Sequence, residues 1–84
     1  MLRSQHREST LARMRTGQRA TVVGINGGHG LVRRLSALGL RPGKKVVKVS
    51  SMFARGPVTV QVDSTQIALG FGMANKVIVE FDSE

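Results

Sequence analysis

The chain has 84 residues, no cysteine and a formal net charge of +8. That length suits one domain with a thin core, and the missing thiols exclude disulfide staples and thiolate metal sites. No apolar run approaches the roughly 18 residues of a membrane span, and Arg and Ser stand near the N-terminus where a secretory signal would be apolar, so a soluble, cytoplasmic protein is predicted.

The charge is unevenly placed, at +4 over residues 1–19, +7 over 20–56 and −3 over 57–84, with no acid between Glu8 and Asp63. Such a field favours an anionic partner. Residues 1–10 are polar and lack apolar periodicity, which predicts a flexible N-terminal arm ahead of a domain over 11–84. Thr10 is placed to cap a short turn through Leu11 and Met14, ended by Gly17.

Thr21, Val22, Val23 and Ile25 predict a first strand over 18–25. The glycine-rich stretch from Gly24 to Gly30 then crosses to a helix, and its glycines suggest positive backbone angles. Leu31, Val32, Leu35 and Leu38 form one stripe of a short helix, expected to pack inward, while Arg33 and Arg34 lie off it. Its stop signal combines Gly39, which can turn left-handed, Leu40, which can fold back on Leu35, and Pro42, which cannot continue the helix. Arg41-Pro42-Gly43-Lys44 has the chemistry of a type II turn.

In the second strand, Val47, Val49 and Phe53 are expected on one face, with Lys48, Ser50 and Met52 on the other. A Gly56-Pro57 turn follows. Val58, Val60 and Val62 alternate with Thr59 and Gln61 in the clearest strand of the sequence. Gln66 to Leu69 form a fourth strand, and Val77, Val79 and Phe81 alternate in a fifth. Five short strands and one brief helix predict a mainly β fold, a small antiparallel barrel whose closure removes exposed edges.

No catalytic centre emerges, because Ser, His and acid never form a triad-like set, and the protein is read as not an enzyme. The glycine-rich loop lacks the Gly-Lys-Ser/Thr ending of a nucleotide loop. His6 and His29 share no ligand-like spacing with the late carboxylates, so no metal site or cofactor is expected; Asp82 and Glu84 offer Fe(II) a weak contact at most. The candidate working surface is basic: Arg33 and Arg34 on the helix, with Lys44, Lys45, Lys48 and Arg55 on the next strand and its loop. Met52 and Phe53 are the proposed apolar anchor within it.

Several blocks carry a family resemblance. They are Gly17-Gln18, Gly27-Gly28, Gly30-Leu31, the run Arg34-Leu35-Ser36-Ala37-Leu38-Gly39-Leu40-Arg41-Pro42-Gly43, Gly56-Pro57-Val58, Ile67-Ala68-Leu69-Gly70 and Val77-Ile78-Val79. Over about residues 11–81 the chain resembles the FeoA family, accessory proteins of bacterial ferrous iron uptake. Two departures stand out: no Gly occurs at Asp63-Ser64-Thr65, and the segment Phe71 to Asn75, expected to be a loose or single-turn helix, is unusually poor in charge.

The resemblance implies an SH3-like barrel of five strands with one short helix between the first and second. It also implies a non-catalytic adaptor that binds the cytoplasmic part of a FeoB-type membrane GTPase permease. The basic charge suits an anionic membrane surface as well, which would place the protein peripherally at the inner face of the plasma membrane, and self-association is left open. Nucleic acid is the alternative partner. Single-strand binders stack bases on aromatic side chains, and this chain has only three, Phe53, Phe71 and Phe81.

Overall fold

Alternating valines organise the sheet. In the computed structural model, which describes residues 8–51 and 56–82, the chain runs through β1 (Glu8–Thr10), a 3-10 turn (Leu11–Arg13), β2 (Arg19–Ile25) and α1 (His29–Ala37). It continues through β3 (Lys45–Ser51), β4 (Val58–Val62), β5 (Thr65–Leu69), α2 (Phe71–Ala74) and β6 (Val77–Phe81). All strand pairings are antiparallel, in the order β1-β6-β2-β3-β4-β5. No helix among the described residues is long and apolar enough to cross a membrane.

The mainly β architecture agrees with the sequence reading, but the described residues form six strands and not five. The additional one is β1, whose Glu8, Ser9 and Thr10 pair with Glu80, Val79 and Ile78 of β6. Three residues are too few for alternation to register, so the end of the expected arm is a strand; residues 1–7 lie outside the described residues. Thr10 does not cap the following turn. Its hydroxyl donates to Asn75 Oδ1 at 3.0 Å, and no side-chain cap bond is made.

The core gathers Leu11, Met14, Ala20, Val22, Leu35, Leu40 and Val46 with the β4 valines Val58, Val60 and Val62. Ile67 and Leu69 of β5, Ala74, and Val77 and Val79 of β6 complete it. The period-two pattern read for β4 and β6 therefore holds. In β3 the face that carries Lys48, expected at the docking surface, is the inward one. Val46 and Lys48 point inward, Val47 and Val49 are only half-buried, and Met52 and Phe53 lie outside the described residues. Valines occupy both faces of β3, so their alternation does not mark which one is buried.

Two turns are built as the sequence indicates. At the end of α1 the Leu40 amide donates to Leu35 O at 3.0 Å and the Gly39 amide to Ser36 O at 2.9 Å, with Gly39 at φ +100°. This pair of bonds satisfies the last helix carbonyls and turns Leu40 back to be buried beside Leu35. At Arg41 to Lys44 the Lys44 amide donates to Arg41 O at 3.0 Å, with Gly43 at φ +95°.

The β4–β5 turn has two residues, and Asp63 takes φ +57° where glycine is the easier choice. α2 is the single helical turn expected. The loop from Gly24 to Gly30 differs from expectation, since none of its glycines has a positive φ. At Gly27 the constraint is space: a Cβ there would lie 2.5 Å from Leu31 Cδ2.

Candidate docking surface

Helix α1 is pinned to the barrel by few side chains. Leu35 is fully buried and Leu31 packs against the core from a half-buried position. Val32 and Leu38, expected on the same inward stripe, remain 36% and 42% exposed. At about 100° per residue, Leu31, Leu35 and Leu38 fall within a narrow arc while Val32 sits well to one side. Leu38, at the helix end, lies outside the part of the arc that contacts the sheet. Val23 of β2, 40% exposed, is the third large apolar side chain left to solvent among the described residues.

Arg33 and Arg34 are exposed on α1, as is Arg41 just beyond it. None of the three forms an ion pair among the described residues. Helical spacing sets Arg34 beside Leu38, while Val32 and Arg33 project about 100° apart round the helix. A shallow groove at the helix start, lined by Gly27, Gly28, His29, Val32 and Arg33, continues the same face.

The basic residues of β3 behave differently. Lys44 Nζ lies 2.8 Å from Asp63 Oδ2 and Lys45 Nζ 3.0 Å from Asp82 Oδ1, so two lysines read as free cations spend their charge within the molecule. These exposed pairs contribute little stability, but they lower the positive potential of their side.

Lys48 is not a surface residue. It is 1% exposed, and its ammonium donates to Leu11 O at 2.8 Å and to Met14 O at 2.5 Å. Leu11 O also accepts the Met14 amide that closes the 3-10 turn, at 3.3 Å, whereas Met14 O, at the turn's end, lies beyond that intrahelical bonding. Burial lowers the Lys48 pKa from its ordinary value. Nothing in the local sequence marks this arrangement; the signal is the meeting of a valine-flanked lysine with a turn 34 to 37 residues earlier.

Of the eight residues expected to form the docking surface, Arg33 and Arg34 thus stand free and exposed. Lys44 and Lys45 are paired, Lys48 is internal, and Met52, Phe53 and Arg55 lie outside the described residues. Val32, Leu38 and Arg41 were missed. Val32 and Leu38 were read as core because periodicity reports a stripe without saying how wide a strip of it the sheet can cover. The structural residues Gly39, Leu40, Pro42 and Gly43 sit at the two turns already described, and Gly56-Pro57 immediately precede β4.

Among the described residues no group of three or more His, Cys, Asp or Glu is placed to hold a metal ion. Asp82 is engaged by Lys45, and Glu84 and His6 lie outside the described residues. Phe71 and Phe81 are half-buried, a poor platform for stacking bases.

Residues 9–81 match the model of the FeoA domain. The chain is 33% identical over 70 residues to a Methanocaldococcus jannaschii protein assigned as Fe(2+) transport protein A, covering 83% of each. The crystal structure of an iron uptake regulatory protein (FeoA) superposes with a TM-score of 0.83 at 32% identity, over 88% of this chain and 97% of that one. Stenotrophomonas maltophilia FeoA, described as a procaryotic SH3 domain protein and crystallised with zinc, superposes with a TM-score of 0.73 at 32% identity, over 83% and 87% of the two chains. With this sheet order, the helix stop at Leu38 to Gly43 and a match that spans nearly all of the described residues, the chain belongs to the FeoA family, whose SH3-like fold it shares.

Proposed function

We propose that the protein is a non-catalytic, cytoplasmic accessory factor of ferrous iron uptake, and that it binds the cytoplasmic part of a FeoB-type membrane GTPase permease through α1. Membership of the FeoA family supports the link to ferrous iron transport. The observation that carries the docking surface is the combination on α1 of unpaired Arg33 and Arg34 with exposed Val32 and Leu38. Guanidinium groups recognise carboxylates through paired hydrogen bonds, and the neighbouring aliphatic side chains supply the apolar contact that an anchored interface needs. The sheet positions this helix and takes no part in the contact.

The test is titration of the permease's cytoplasmic domain with this protein at two salt concentrations, with and without guanine nucleotide. Binding is expected to weaken as salt rises. The double substitution Arg33→Glu with Arg34→Glu should weaken it by about tenfold or more, an effect of at least ~1.4 kcal/mol. Undiminished affinity in that variant would move the docking surface away from α1.

A further inference from the structure

We propose that the outer edge of β5 pairs with β5 of a second copy of this chain, giving a reversible two-fold dimer through a face separate from α1. Among the described residues β5 is the last strand of the sheet and pairs only with β4. The β4–β5 turn is two residues long, which makes Val62 and Thr65 a hydrogen-bonded pair. Bonding then alternates along the ladder, so Val60 with Ile67 and Val58 with Leu69 are also bonded pairs. The amides and carbonyls of Gln66 and Ala68 therefore face away from β4. Among the described residues no main-chain bond reaches them, and both residues are exposed.

An edge of this kind recruits another strand unless it is shortened, charged or broken by proline. β1, the opposite edge, is three residues long and begins with a carboxylate, Glu8. β5 has five residues, Thr65-Gln66-Ile67-Ala68-Leu69, with no charge and no proline. Its side chains suit self-pairing. With Ile67 on the two-fold axis, Gln66 of each copy faces Ala68 of the other and the two exchange N–H···O bonds, four across the seam.

Charge selects a second copy as the occupant. Between Gly56 and Asn75 there is no Lys or Arg and the sole charged residue is Asp63. This is the side on which two molecules of net charge +8 can approach with least repulsion. An acidic partner strand, by contrast, would find no cation along β5.

Sedimentation equilibrium across a protein concentration series, at about 0.05 M and 0.5 M salt, tests this. The average mass should rise from one copy toward two with concentration, and more so at high salt, because screening removes like-charge repulsion. That salt dependence is opposite in sign to the one expected for an anionic partner on α1, so the two proposals fail independently.

Ala68→Pro removes an outward amide and leaves the β4 ladder intact, and should raise the dimer dissociation constant about tenfold. Ala68→Lys keeps the amide but adds a cation beside the seam, and should weaken dimers at low salt and recover at high salt. A single-copy mass under all conditions overturns the proposal, and so does a dimer whose constant neither substitution changes.

Discussion

The β4–β5 hairpin and helix α1 belong to one small domain but treat their aliphatic side chains in opposite ways. In the hairpin Val58, Val60, Val62, Ile67 and Leu69 are all buried, and the outward positions Thr59, Gln61, Gln66 and Ala68 are uncharged. In and beside α1, of Leu31, Val32, Leu35 and Leu38, only Leu35 is fully buried, and two arginines stand free on the outside. The hairpin is shaped by what it packs against. The helix is attached through buried Leu35, half-buried Leu31 and a well-formed stop, and Val32, Arg33, Arg34 and Leu38 remain on its outside.

Leu35→Ala should break the contrast most severely. It deletes the main contact between α1 and the core and leaves a cavity beside Leu40, at an expected loss of about 2–4 kcal/mol in denaturant unfolding. If the loss is below ~1 kcal/mol, α1 is held by something other than packing.

Lys48→Met sharpens the contrast from the sheet side, since Lys48 is the one buried cation among the described residues while those of α1 are exposed. Removing the ammonium takes the side-chain donor from Met14 O and leaves Leu11 O with only the Met14 amide at 3.3 Å, which should cost about 1–3 kcal/mol. The pH dependence is distinctive. Burial lowers the Lys48 pKa below 10.5, so between that lowered value and 10.5 the unfolded chain keeps a proton that the folded chain has released. Unfolding free energy therefore rises with pH across that window in the wild type and lacks this slope in the Met variant; below the window the two curves run parallel. Unfolding series from pH 7 to about pH 10.5 check both the offset and the slope.

The smallest stability effect is expected from Val32→Ser combined with Leu38→Ser. These exposed positions should shift unfolding by no more than about 0.5 kcal/mol each. The same pair should nevertheless weaken binding to the permease's cytoplasmic domain severalfold, measured by the titration used for the arginines. A large loss of stability would mean that the two side chains are packed and would erase the difference between the regions.

Much of this was legible along the chain, where the responsible interactions are local. The stop at Gly39, Leu40 and Pro42 and the turn at Pro42-Gly43 follow from backbone angles that few residues adopt. β4 follows from uninterrupted alternation. What stayed hidden depended on distant partners. β1 is too short to show a period and exists because β6 offers it an edge. Lys44 and Lys45 looked free because their acids are 19 and 37 residues away in sequence. Lys48 looked solvated because a lysine is almost never buried without a partner, and its partners are main-chain oxygens that any sequence contains. Periodicity identified the α1 stripe correctly, yet its coverage is decided by how much of a nine-residue helix the sheet can reach.

The Lys48 anchor also bears on how freely this protein can diverge. Its two acceptors are peptide oxygens, present whatever amino acid occupies the site, so the clamp holds the path of the chain and is blind to the identity of most residues along it. Leu11 and Met14 must stay apolar for the core and Ala12 packs against it, but the exposed Arg13 and Arg15 can be exchanged without unseating the segment. The entry to the barrel is thus a fixed rail on which outward chemistry can be rewritten while the fold beneath stays unchanged.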